Sequence, residues 1–159
     1  MNNIFDQNEF DPWDMDEPVE EAAKKKILAV DDNGPTLRVI KAMLSSEYEV
    51  TIVNSGMNAM KFLGKDKPDL ILLDYDMPVC DGRQVLEMIR ADDEIKDIPV
   101  VFLTGVNDRE HIEPILAMRP AGYILKPLDK KKLLDTIAAA LAKAAEAKEH
   151  KGRLFLHKD

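Results

Sequence analysis

The sequence predicts an α/β protein built on a doubly wound, five-stranded parallel sheet. Short apolar runs recur at Ile27–Val30, Val50–Val53, Leu70–Leu73, Val100–Leu103 and Tyr123–Leu125. Helical patterns fall between and after them, so five strands alternate with five helices. Three of the runs are almost wholly apolar, as strands covered on both faces must be. Right-handed crossovers then wind the chain to both sides of one sheet.

Each element has its own justification. Lys24–Lys26 reads as a solvated entry to the first strand. Pro35 stands just before Leu37, Ile40, Met43 and Leu44, a helix opening on a proline. Asn58–Leu63 is a short second helix, and Gln84–Arg90 carries Val85, Leu86 and Ile89 at helical spacing. Arg109–Met118 is the fourth helix. Pro114 within it removes a hydrogen bond and crowds the preceding turn, which predicts a short or kinked helix. Pro120 turns the chain toward the fifth strand. The fifth helix runs from Leu128 to about Lys148, with Leu133, Leu134, Ile137 and Leu141 on its apolar face. Its alanine-rich AAEAKEH favours helix beyond what the domain requires. That extension reads as a stalk or dimer contact, or as a fraying solvated end. The terminal KGRLFLHKD reads as a segment packed back on the domain or a linker stub.

Composition bounds the function classes. The 159 residues, 45% hydrophobic, suffice for one domain and a tail. No apolar run approaches the ~20 residues of a membrane span, and no apolar h-region marks a signal peptide. The single cysteine, Cys80, excludes an internal disulfide and fits a reducing cytoplasm. A net charge of -8 argues against nucleic-acid binding by this chain alone. That charge sits at one end. Residues 1–21 hold eight acids and no Lys or Arg, so the remainder balances at 22 acids and 22 bases. The expected organisation is an acidic, disordered leader over 1–23, a domain over 24–142, and a helical extension and tail over 143–159. Ile4, Phe5, Phe10 and Trp13 among the leader's acids read as a docking peptide or a solubilising tail. Residues 126–159, with nine Lys or Arg against five acids, offer a mildly basic surface for it.

Chemistry is expected at the carboxyl ends of the strands. The first ends in Asp31 and Asp32, the third in Asp74, the fourth in Thr104–Gly105 and the fifth in Lys126–Pro127. A single Asp after a strand is ordinarily a turn or cap residue. Parallel strands, however, bring all of these to one edge. Two carboxylates ~5 Å apart repel by roughly 3 kcal/mol at an effective dielectric of 20, so the cluster calls for raised pKa values or a cation. Few hard oxygen ligands suit Mg²⁺, which favours a phosphate partner. Lys126 and Thr104 can meet an incoming phosphoryl oxygen. Asp74 can then act as a nucleophile that forms an acyl phosphate.

These residues resemble the receiver domain of two-component response regulators, of the single-domain chemotaxis-regulator kind. The likeness covers about Lys25 to Leu141. It rests on VDD at Val30–Asp32, LLDYDMPVCDG at Leu72–Gly82, LTG at Leu103–Gly105 and GYILKP at Gly122–Pro127. The resemblance implies a flavodoxin-like (βα)5 fold and a signalling module, not an enzyme for an external substrate. Asp74 would accept phosphate from a sensor histidine kinase or histidine phosphotransfer protein. Asp32 would bind Mg²⁺ directly, Asp31 largely through water, and Asp76 through its backbone carbonyl. Thr104 would be the switch hydroxyl and Tyr123 the aromatic that turns inward with it, although Tyr123 also reads as an ordinary half-buried strand residue. Lys126 would pair with Asp74 and then with the phosphoryl group, next to a cis Lys126–Pro127 bond. The added charge would bias the face of the fourth helix, fifth strand and fifth helix for an unidentified downstream protein, with a homodimer through that face left open.

Two positions depart from expectation for a fast-cycling member. Asp76 places an acid near the phosphoryl group or points to solvent. Val106 is apolar where a polar residue would orient a hydrolytic water, which predicts slow self-dephosphorylation. The rival reading is a small Mg²⁺-dependent phosphohydrolase working through an aspartyl phosphate, because Asp74-Tyr75-Asp76 resembles the DxD motif of haloacid-dehalogenase-like phosphatases. Against it, Asp31–Asp32 precede the nucleophile rather than follow the lysine, and there is no room for a cap. A flavin-binding protein on the same sheet fits worse, because the first strand leads into acids and not a phosphate-cradling loop.

Overall fold

The computed structural model describes residues 23–105 and 109–156. The element order is β1 (Lys26–Val30), α1 (Gly34–Leu44), β2 (Glu49–Val53), α2 (Gly56–Leu63), β3 (Leu70–Asp74), α3 (Gly82–Arg90), β4 (Val100–Thr104), α4 (Arg109–Ala117), β5 (Gly122–Leu125) and α5 (Lys130–Leu156). The strands form one sheet in the order β2-β1-β3-β4-β5, every pairing parallel. The predicted doubly wound fold is therefore present.

Period-2 alternation sorts the strand side chains into two cores. Ile27, Ala29, Leu70, Leu72, Val101 and Leu103 face α1 and α5, meeting Leu37, Ile40, Leu44, Leu133 and Ile137. Leu28, Val30, Ile71, Leu73, Val100 and Phe102 face the other way, onto Ala59 and Leu63 of α2, Val85, Leu86 and Ile89 of α3, and Ile115 of α4. β1, β3 and β4 lie inside the sheet and are buried along their lengths. The edge strands β2 and β5 are only partly buried.

Helix starts are set by caps that apolar periodicity does not register. Asn33 accepts from the Thr36 amide at 2.8 Å and opens α1. Ser55 accepts from the Asn58 amide, so α2 begins at Gly56 and not at Asn58. Asp81 and Gln84 form a reciprocal capping box, which moves the start of α3 back to Gly82. Asp129 accepts from the Lys132 amide at 2.9 Å and delays α5 from Leu128 to Lys130.

The far end of α5 corrects the sequence reading in the other direction. The helix does not stop near Lys148 but continues through Gly152 to Leu156. One glycine costs a helix only about 1 kcal/mol, which the surrounding alanines and lysines sustain. The expected short fourth helix is present, with nine residues and Pro114 inside it. Its exit is held from α3. The Arg90 guanidinium donates to the Met118 carbonyl, and at 2.7 Å to that of Arg119, whose φ is 56°. The Lys126–Pro127 bond is cis, as the motif implied. The acidic leader and Val106 lie outside the described residues.

Candidate functional site

The strand order reverses between β1 and β3, which are neighbours in the sheet although β2 lies between them in sequence. Their connections leave to opposite faces and open a crevice beyond their carboxyl ends. Asp31 follows β1 directly and Asp74 ends β3, so both stand in that crevice. β4 adds Thr104 as its last residue, and Lys126 follows β5. Parallel pairing brings these four ends together, with Asp74 in register with Leu103 and Thr104 with Leu125.

The cluster is compact. Asp31, Asp32 and Asp74 each offer a carboxylate oxygen within 4.8 Å of the others. Asp31 and Asp74 are buried, at 0% and 3% exposure, whereas Asp32 faces solvent. Lys126 Nζ lies 2.9 Å from Asp31 Oδ2 and 3.4 Å from Asp74 Oδ1. The contact to Asp31 is close but poorly aligned, so Asp31 Oδ2 has no directed hydrogen-bond donor among the described residues. Asp31 Oδ1 is engaged by the Asn33 amide at 2.9 Å, and Asp74 Oδ1 by that of Asp76 at 3.3 Å.

These surroundings set the charge state. Burial, and then the neighbouring Asp31 carboxylate, push the Asp74 pKa up to about 7, although Lys126 pulls it down. Burial alone would lower the Lys126 pKa. The close ion-pair contact with Asp31 and the charge of Asp74 overcome that and raise it, so the ammonium stays charged. One ammonium faces three carboxylates, which leaves the cluster short of positive charge. A buried carboxylate oxygen without a donor, beside two more carboxylates at chelating distance, is what a hard divalent cation satisfies. The residues present therefore fit a metal of that class.

Of the other expected residues, Thr104 is buried at 1% exposure. Tyr123 lies on β5 and is 37% exposed in this structure. Asp76 is exposed and does not join the three-carboxylate cluster. Two residues of the same loop have parts that the sequence reading did not assign. Asp81 is a helix cap rather than a member of the acid cluster. Gly82 packs so closely under the end of β3 that a Cβ there would lie 2.5 Å from the Asp74 carbonyl oxygen and 2.8 Å from the Tyr75 Cα. An Asp-Gly pair ahead of an apolar helical pattern was the available signal.

Comparison with known proteins gives this arrangement its class. The model of the response regulator receiver domain family matches residues 27–138. The chain belongs to that family. It is 29% identical over 121 residues to the polar-differentiation response regulator DivK of Brucella anthropi, covering 76% of this chain and 98% of DivK. It is 34% identical over 112 residues to the two-component response regulator ORR5 of Oryza sativa subsp. japonica, covering 69% and 84% of the two chains. The CAI-1 autoinducer sensor kinase/phosphatase CqsS of Vibrio cholerae is 33% identical over 119 residues, which is 73% of this chain but only 17% of CqsS. Among solved structures, the chemotaxis protein CheY4 of Vibrio cholerae superposes with a TM-score of 0.70 at 28% identity, covering 74% of this chain and 99% of that one. A CheY-like receiver domain protein of Methanospirillum hungatei gives 0.71 at 26%, covering 79% and 99%. Family membership decides for a receiver over the phosphohydrolase reading.

Proposed function

We propose that this protein is a phosphoacceptor switch in which Asp74 is the acceptor and the Asp31–Asp32–Asp74 cluster holds Mg²⁺. The observation that carries this reading is the three-carboxylate cluster within 4.8 Å, with Lys126 Nζ against two of its members. Bound there, Mg²⁺ supplies charge neutralisation for carboxylate and phosphoryl oxygens together. Asp32, being exposed, is suited to direct ligation, and Asp31 to a water-bridged or electrostatic part. The backbone carbonyl of Asp76 completes the expected ligand set.

The donor is a phosphohistidine of a sensor kinase or phosphotransfer protein. An Asp74 carboxylate oxygen attacks phosphorus, the P–N bond breaks, and the departing imidazole nitrogen keeps the bonding pair and takes a proton from solvent. Lys126 leaves its carboxylate contacts for the new phosphoryl oxygens, and the Thr104 hydroxyl donates to them. The space vacated beside Thr104 receives the Tyr123 ring. The output is a change in the α4–β5–α5 face, where Leu116, Tyr123 and Leu125 are 50%, 37% and 37% exposed. That apolar exposure suits a downstream protein or a second copy of this chain. Self-phosphorylation from small donors and slow self-dephosphorylation belong to the same reading. So do a signalling unit over 24–142 with leader and helical extension on either side, and a cytoplasmic location. Among the described residues no helix is long and apolar enough to cross a membrane.

Intact mass after incubation with Mg²⁺ and acetyl phosphate tests the proposal. One added phosphoryl group, absent from Asp74→Asn, is expected. An adduct that persists in Asp74→Asn would move the acceptor elsewhere.

A further inference from the structure

The edge of the sheet opposite the aspartates carries a groove that the switch does not use. It has a volume of about 420 Å³, within the ~300–1,000 Å³ range of pockets that take a ligand. One wall is built where β1, β3 and β4 begin, with Lys25, Pro68, Ile98 and Pro99. The other wall is α5 from its last core-packing turn onward, with Leu141, Ala144, Ala145 and Lys148. The long helix therefore makes this groove by running past the sheet's edge.

Its charges are unevenly satisfied. Asp69 accepts from the Lys26 amide at 2.8 Å, Glu94 lies 3.9 Å from Lys67, and Asp97 lies 3.6 Å from Lys151. Glu94 and Asp97 are thus paired with lysines, whereas Asp69 is held by a neutral backbone amide. Lys25 and Lys148, one on each wall and both exposed, have no carboxylate partner among the described residues. The groove offers an apolar floor between two unpaired ammonium groups.

The chain itself holds the complementary chemistry. Residues 1–22 carry eight acids, no Lys or Arg, and the large apolar side chains Ile4, Phe5, Phe10 and Trp13. They join the described structure at Ala23, two residues from Lys25 on the groove's rim. Lys25 lies twelve positions after Trp13, and at about 3.3–3.6 Å per residue that tether spans roughly 40 Å, ample for the groove.

We propose that this acidic, aromatic amino-terminal segment docks in cis into the groove, its apolar side chains on the Pro68–Ile98–Leu141 floor and its carboxylates on Lys25 and Lys148. The docked segment clamps the far half of α5 to the base of the sheet. The proposal is independent of whether Asp74 is phosphorylated. Short tethers give effective concentrations of about 1 mM, so an intrinsic Kd of about 0.3 mM keeps the segment docked roughly three-quarters of the time.

Trp13 is the only tryptophan, so its fluorescence reports docking in the intact chain. Expected at low salt is blue-shifted emission and acrylamide quenching about threefold weaker than in the same chain unfolded in urea, as a mostly docked tether requires. Lys25→Glu/Lys148→Glu should return quenching to the unfolded value while far-UV circular dichroism stays native. Lys61→Glu, an exposed lysine on α2, should leave it unchanged. High salt should weaken protection, because both lysines are exposed. Unfolded-like quenching in the native chain would overturn the proposal. So would equal loss in the Lys61 control, which would mean diffuse charge attraction. Protection that disappears on dilution would place the segment on a second copy and overturn docking in cis.

Discussion

Asp74 ends a buried strand because the crevice needs a carboxylate there, and its environment makes that carboxylate reluctant to ionise. With a pKa of about 7 in the fold against 3.8 for a free aspartate, the native state binds more protons than the unfolded chain between about pH 4 and pH 7. Stability must fall as pH rises through that window and level off above it. Asp74→Asn removes the term. In metal-free buffer the variant is expected to match the parent near pH 4 and exceed it at pH 8, by on the order of 2 kcal/mol if about half of the shift is realised. Urea midpoints at the two pH values measure this, and a constant difference would refute it. Val79 shows the opposite kind of strain. Its φ is 67°, its side chain is 95% exposed, and the Cys80 amide donates to the Pro78 carbonyl across it. A β-branched residue with nothing to pack against gains little from that conformation. Glycine relieves about 1–2 kcal/mol of left-handed cost and returns about 0.5–1 as chain entropy. Val79→Gly should therefore raise the urea midpoint modestly. Gly82 tolerates no such freedom, since a methyl group there meets the Asp74 backbone. The carboxylates were legible in the sequence because strand ends are. The conformation of Val79 was not, because nothing in PVCDG distinguishes a β-branched residue held at positive φ.

Elements are fixed less by their apolar stripes than by how they begin. The capping box of Asp81 and Gln84 starts α3 one residue beyond the acceptor loop, with the Gly82 amide donating to the Tyr75 carbonyl at 3.0 Å. Removing the cap side chain exposes unsatisfied amides at a helix start that abuts the end of β3. Asp81→Ala should cost about 1 kcal/mol. It should also raise amide exchange in the first turn of α3 and leave α5 unaffected, which exchange mass spectrometry resolves. Exchange that rises evenly in both helices would instead mean global destabilisation. The same logic explains where the sequence misjudged boundaries. Periodicity marks where apolar residues face the core, so it found Val85, Leu86 and Ile89 but began α3 at Gln84, two residues late. The apolar stripe of α5 ends at Leu141 and alanine propensity carried the reading of that helix only to about Lys148, whereas the helix runs on through Gly152 to Leu156. Pro114 was readable, since a ring that deletes a hydrogen bond acts locally. The Arg90 clasp on the end of α4 was not, because it joins residues 28 and 29 positions apart.

At the scale of the whole molecule, one sheet order generates both the cores and the site. Burial of β1 and β3 on both faces sets Asp31 and Asp74 deep at their ends, which raises the Asp74 pKa and leaves Asp31 Oδ2 without a directed donor among the described residues. The convergence of Asp31, Asp32, Asp74, Thr104 and Lys126 was legible because parallel strands leave no other arrangement. The protonation of Asp74 was not, because it depends on depth. In the proposed metal site, proton and Mg²⁺ compete for the same carboxylate. Mg²⁺ needs Asp74 ionised, so with a pKa of about 7 its apparent affinity should fall about tenfold between pH 8 and pH 6. A ligand at 100 times its Kd stabilises by about 2.7 kcal/mol, and at ten times its Kd by about 1.4. A fixed Mg²⁺ concentration that gives the larger increment at pH 8 should therefore give about half of it at pH 6. Thermal unfolding with and without Mg²⁺ at both pH values measures the two increments. Asp74→Asn, which has no proton to release at that position, should show a smaller increment with a weaker pH dependence. Equal increments in the parent protein at pH 6 and pH 8 would place the metal away from Asp74.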